Sequence, residues 1–191
     1  MPSDLTVLLF SLVLFHSIGI FTTQLAGVFG GTLLLEKFYQ CPGRESGPNK
    51  ISNVEIKPSG KNKFRINGTI TVGIPVVEPA SIIVEMYKCS DKERQHCHHQ
   101  VDFKNEDMCK IFGREGMPWT SFFEGIAIPP NCPIKQGTYS LNGAELDLTS
   151  VQTLAFIHGF WKLKSYGKSR GKQWHCAIIE FALENQKRKK G

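Results

Sequence analysis

Two places in this 191-residue chain gather side chains that could do chemistry. Gly167-Lys168-Ser169-Arg170-Gly171 fits the G-x-S-x-G pattern of a hydrolase nucleophile elbow, which needs an apolar strand before the serine and a helix after it. Lys164 and Lys172 flank it here, so a hairpin turn is expected instead. Cys89, His96, Cys97, His98 and His99 offer sulfur and nitrogen ligands, but C-x7-C is not a zinc-knuckle spacing. A small disulfide loop with solvated histidines fits better. His158 and His175 stand alone, with no acid placed by the sequence to orient them, and no paired carboxylates occupy an apolar setting. No catalytic residue, metal site or cofactor is therefore expected.

Cysteine chemistry points to compartment rather than catalysis. Cys41, Cys89, Cys97, Cys109, Cys132 and Cys176 form an even set, all beyond a hydrophobic leader, and three disulfides are the natural outcome. Six cysteines allow 15 pairings, and the spacing alone does not choose among them. The leader carries no charge between Leu5 and Leu35, which reads as a signal peptide over residues 1–30, with cleavage after Gly19 or Gly30; an uncleaved anchor is the alternative. Asn67-Gly68-Thr69 is an acceptor sequence for a surface glycan in the secretory path. The formal charge is +6, yet Lys187, Arg188, Lys189 and Lys190 supply four of these in a tail at 187–191, leaving +2 elsewhere. With no basic stripe interleaved with aromatics, a nucleic-acid partner is not expected.

The elements that would position these groups are mostly strands. Residues 33–40 read as a first strand, and Val54 and Ile56 mark a second. Phe64, Ile66, Ile70, Val72 and Ile74 alternate with polar residues, the pattern of a half-buried antiparallel strand. Ile82, Val84 and Met86 alternate likewise before Cys89, as do Trp161, Leu163 and Ser165, and then Ala177, Ile179, Phe181 and Leu183. A short helix is expected over 105–112, capped by Asn105. The segment 113–131 is rich in glycine and proline yet carries Met117, Trp119, Phe122, Phe123, Ile126 and Ile128. Such an apolar loop either covers the core, as a lid or a further strand, or forms a rim around a ligand mouth or against a membrane. A later loop presents Phe156 and Ile157. Together these predict an all-β domain over 31–186: an antiparallel sandwich or cup of about eight strands with one short helix.

One stretch links the chain to a known family. Cys132-Pro-Ile-Lys-Gln-Gly-Thr-Tyr-Ser-Leu141, with Asn67-Gly-Thr-Ile-Thr-Val72, Glu106-Asp-Met-Cys109 and Gly171-Lys172 leading to Cys176, resembles the ganglioside-activator-like branch of the MD-2-related lipid-recognition superfamily, including secreted arthropod members. The resemblance implies pairings Cys41–Cys176, Cys89–Cys97 and Cys109–Cys132. It further implies a β-cup that holds lipid chains, mouth loops that touch membrane transiently, and a secreted or lysosomal setting. The expected ligand is a lipid or glycolipid, with a hydrolase or receptor as possible protein partner and no enzymatic activity of the chain's own. Two family features are missing: Trp119 and Pro130 stand where a fourth bridge would be, and Ala155 and Phe156 replace an exposed rim tryptophan. Candidate cavity and rim residues are the inward members of the strands, Ile70, Val72, Ile82, Val84, Met86, Trp161, Leu163, Ile179 and Phe181, with Met117, Trp119, Phe122, Phe123, Ile126, Ile128, Phe156 and Ile157 from the loops. The competing function is an extracellular recognition module, chemosensory or receptor-binding, without lipid transfer.

Overall fold

A computed structural model describes residues 31–44, 47–117, 119–126, 128–129, 131–149 and 158–185. The leader, the basic tail, Phe156 and Ile157 lie outside the described residues. In chain order the elements are β1 (Gly31–Gln40), β2 (Asn49–Gly60), β3 (Lys63–Val72), β4 (Ala80–Cys89) and β5 (Cys97–Asn105), then α1 (Met108–Phe112) and α2 (Thr120–Glu124), then β6 (Gly137–Asp147), β7 (Gly159–Ser169) and β8 (Lys172–Asn185). All pairings are antiparallel, giving a five-stranded sheet β1-β8-β7-β4-β5 and a three-stranded sheet β2-β3-β6. Among the described residues the architecture is the expected all-β sandwich of eight strands, open rather than a closed barrel.

Period-two alternation sets which side chains face inward. From β3, Phe64, Ile66 and Val72 are buried, facing Leu33, Leu35, Trp161, Phe181 and Leu183 of the larger sheet within one core. Ile74, expected to extend this run, lies beyond the end of β3 and is 46% exposed. On β1 the alternation changes phase. The register jumps between Leu35 and Lys37 opposite Phe181 and Glu180, so Glu36 is an extra residue. A bulge of this kind moves inward positions from odd to even numbers, and Phe38 and Gln40 follow Leu33 and Leu35 on the inner face.

Two local expectations need correction. Asn105 ends β5 and its Oδ1 accepts from Asp107 N at 2.8 Å; the cap of α1 is Asp107, whose side chain accepts from Lys110 N. The apolar segment 113–131 contains no strand among its described residues but a second helix, α2, so the described residues hold two short helices rather than one. β5 itself was not legible as a strand, because residues 97–105 are mostly polar and almost wholly exposed, Val101 and Phe103 included. Its pairing with β4 follows from the Cys89–Cys97 closure, which places the two strands side by side.

The three disulfides are Cys41–Cys176, Cys89–Cys97 and Cys109–Cys132. The first ties the end of β1 to β8, and the third pins α1 to the segment before β6. Between Cys89 and Cys97 the loop folds back over the outer face of the larger sheet. Buried Arg94 lies 4.9 Å from the Phe160 ring and pairs with Glu36 on β1 at 2.7 Å. The sequence Gly167-Lys168-Ser169-Arg170-Gly171 is the β7–β8 hairpin, with Arg170 and Gly171 at φ 48° and 75°, the left-handed pair a two-residue turn requires.

Candidate functional site

The central strands β7 and β8 differ in bulk from one end to the other. Toward one end their inner face carries Trp161 and Phe181, stacked with ring centroids 6.4 Å apart. Toward the other end it carries Ser165, opposite Ala177. Two short-side-chain positions, Ser165 and Ala177, leave volume that the facing sheet does not fill, and a cavity of about 220 Å³ opens there. Its floor comes from Phe38, Ile51, Ile70, Val72, Ile82 and Ile179 of the two sheets, and its cover from Phe112, Phe122, Phe123, Ile126, Ile128 and Ile134.

The cover is built from the apolar segment. α1 packs against β4 and α2 against β6, bridging the two sheets. Phe123 stands 5.2 Å from Phe112 and 5.7 Å from Phe122, ring centre to ring centre, as an aromatic cluster. Backbone bridges Ile126 to Leu141 and Val76 to Ile134 anchor the segment on both sides. Residues 132–141 thus frame the cover: Cys132 holds α1, and Leu141 on β6 holds Ile126.

Of the sequence candidates, Ile70, Val72, Ile82, Phe122, Phe123, Ile126, Ile128 and Ile179 are brought together around this cavity. Trp161 and Phe181 are buried in the core as a stacked pair away from it. Val84, Met86 and Leu163 are half-buried against the same core without lining the cavity. Trp119 is a strut of the cover, its Nε1 donating to Ile111 O at 3.2 Å, and Met117 N donates to Thr120 Oγ1. Sequence reasoning missed Phe38, hidden by the bulge, and passed over Trp174, His175 and Ser165. Continuing the alternation of Ile179 and Ala177 backwards along β8 reaches His175, the one signal that could have found it.

No protein-family profile matches the chain, and no curated protein sequence is similar to it.

The polar members of the lining differ in what they have left to offer. Gln40 is spent on the backbone, donating to Arg44 O and Asn49 O and accepting from Ile51 N. Asn49 is spent as well, its Oδ1 accepting from Gly73 N and Ile74 N. Ser165 Oγ and His175 Nε2 lie 2.8 Å apart and make a pair of their own. Removal from water pushes His175 down to about 4, so its ring is neutral over most of the working pH range. Trp174 Nε1 is shielded from water and has no hydrogen-bond partner, an arrangement that costs on the order of 1–3 kcal/mol.

Elsewhere, polar groups are engaged with one another. Ser169 Oγ donates to Val77 O at 2.6 Å and accepts from Val77 N at 3.0 Å, which ties the hairpin to the 75–79 loop. On the outer face Glu180 meets Tyr39, Lys37 and Lys162; burial opposes its charge, but the Tyr39 and Lys37 hydrogen bonds hold its carboxyl below the usual range. Cys89 and Cys97 share a disulfide, and among the described residues no three His, Cys, Asp or Glu side chains converge as a metal site would need. Asn67 is half-buried on β3, with Oδ1 accepting from Gly143 N at 2.8 Å and Nδ2 reaching only Glu55 at 3.4 Å.

Proposed function

We propose that this protein binds lipid by taking a hydrocarbon chain into the cavity beneath α1 and α2, as a secreted or lysosomal lipid carrier. The carrying observation is the apolar cavity of about 220 Å³ between the two sheets, covered by α1 and α2. Each methylene of a chain buried there contributes about 0.8 kcal/mol. The resemblance of residues 132–141, 67–72 and 106–109 to the MD-2-related lipid-recognition superfamily supports the same reading. Three disulfides favour an oxidising compartment. No described helix is long and apolar enough to cross a membrane.

Lipid extraction and native mass spectrometry of protein purified from a secreting host test this proposal. The expected result is a co-purifying chain lipid at near one-to-one stoichiometry; protein that stays empty when offered lipid refutes it. Phe122→Ala and Phe123→Ala should weaken chain retention.

A second reading, an extracellular recognition module, has its own observation. Val101 and Phe103 on the edge strand β5 are 52% and 50% exposed. On that reading Val101→Ser and Phe103→Ser abolish partner capture while liposome-to-liposome transfer continues; on the carrier reading, transfer is lost only with changes in the cover. A transient membrane contact and a lipid hydrolase as partner belong to the carrier reading.

A further inference from the structure

We infer that Phe38 sets the length of hydrocarbon chain this protein accepts, its ring closing the cavity off from a lateral slot between β1 and β2. The inference rests on the chain-binding role of the cavity and names what selects among chains. β1 and β2 are edge strands of the two sheets and lie side by side, each hydrogen-bonded along one edge only. Side chains stitch the seam between them at both ends. At the cavity end Gln40 Nε2 donates to Asn49 O at 3.0 Å, and Gln40 Oε1 accepts from Ile51 N at 2.9 Å. At the far end Asn62, in the turn after β2, accepts from Leu33 N through its Oδ1 at 2.8 Å. Between these stitches both strands bulge. Glu36 is the extra residue of β1, and Asn53, at φ 53°, falls with Val54 between the pairs Ser52–Thr69 and Glu55–Asn67. A groove of about 470 Å³ opens there, lined by residues 36–39 of β1 with Val54 and Ile56 of β2.

The chemistry of that groove suits a hydrocarbon chain. Its polar side chains are engaged elsewhere: Glu36 pairs with Arg94 at 2.7 Å, Lys37 with Glu180 at 3.0 Å, and Tyr39 donates to Glu180 at 2.7 Å. Phe38, Val54 and Ile56 are left as its apolar surface. An added peptide strand fits poorly, because a bulge on each edge interrupts the run of backbone donors and acceptors that it would pair with. A hydrocarbon chain needs no such run, since its burial is non-directional.

Phe38 is the residue common to the two hollows. It stands opposite Ile179 of the cavity wall in the β1–β8 pairing, and the bulge at Glu36 is what turns it to that face. It also lines the groove, and it is only half-buried. One ring therefore belongs to the wall of the cavity of about 220 Å³ and to the wall of the slot beside it. A chain that grows along the cavity toward β1 meets this ring. Beyond it lies the apolar surface of Val54 and Ile56, which removal of the ring opens to the chain.

Displacement of a fluorescent chain probe by primary alcohols from decanol to docosanol, in one carrier, tests the partition. In the wild type each added methylene should improve competition about fourfold up to a definite length and add nothing beyond it. Phe38→Ala should carry the gain on for about two further methylenes, about tenfold in competition by the longest alcohols, with decanol little changed. Phe38→Leu, which keeps an apolar side chain on β1 and guards against loss of the fold, should move the limit the same way by less. Adding Ile56→Phe to Phe38→Ala refills the slot and should restore the wild-type limit. No limit in the wild type, the same limit in every form, or a change uniform across all lengths overturns the partition. An extended limit that survives Ile56→Phe also overturns it, because the chain then runs elsewhere. If neither the probe nor any alcohol binds the wild type, the chain-binding role itself falls, a result distinct from the others.

Discussion

At the scale of single residues, burial of a titratable ring is the most consequential feature. His175 titrates near 4 in the fold and near 6.5 when unfolded, so between these values the unfolded chain binds more protons. Stability therefore rises with pH across that window and is lost as pH falls from about 6.5 to about 4, by on the order of 3 kcal/mol. Urea midpoints followed from pH 7 to pH 4 should show this slope, and His175→Gln should flatten it; an unchanged slope would assign the effect to other groups. Gly167 is the second such residue. A Cβ there would meet the Trp174 ring at 2.2 Å, so the indole lies directly on the β7 backbone. Gly167→Ala should cost about 1–3 kcal/mol by denaturant unfolding and should blue- or red-shift Trp174 emission as the ring is displaced.

At the scale of elements, the pair α1 and α2 is where the cover of the cavity is made. Each helix is a single turn and has little stability of its own. What holds them is the aromatic cluster of Phe112, Phe122 and Phe123, the Trp119 bond to Ile111 and the Cys109–Cys132 bridge. Phe123→Ala should lower stability by about 2–3 kcal/mol, less than a fully buried phenylalanine because the ring is half-exposed, and should speed probe exchange measurably. Equal loss of stability with unchanged exchange would mean that the cover does not gate the cavity. Segment 113–131 hid this helix because glycine and proline break its periodicity, so its aromatics looked like loop residues. β5 was hidden for the opposite reason: apart from Val101 and Phe103 it is mostly polar and it has no buried face, and only pairing with β4 makes it a strand.

At the scale of the whole molecule, the sandwich is fastened at the cavity end. Cys41–Cys176 closes a loop of 135 residues in sequence separation, which in the chain-entropy model is worth roughly 4 to 5 kcal/mol. Cys41→Ser with Cys176→Ser should reduce unfolding free energy by about that amount and should loosen ligand retention as well, because Cys176 lines the cavity. Removal of Cys89 and Cys97, whose separation is only 8 residues, should cost less and leave chain binding intact. Identical effects from the two pairs would argue against a special role for the cavity end.

Alternation in residues 64–72, 82–86, 161–165 and 177–183 was legible because a strand turns each side chain to the opposite face from its neighbour, a property of adjacent residues alone. The β7–β8 turn was legible for the same local reason, in Arg170-Gly171. Cysteine spacing allowed 15 pairings, and the fold realises one of them through contacts between residues up to 135 positions apart. The phase change at Glu36, which brings Phe38 inward, depends on register with β8 and leaves no trace in β1 itself. The cavity depends on the same kind of non-local fact. Ser165 and Ala177 are small members of ordinary alternating runs, and they become a binding volume only because β7 and β8 set them side by side opposite a sheet that does not fill the space.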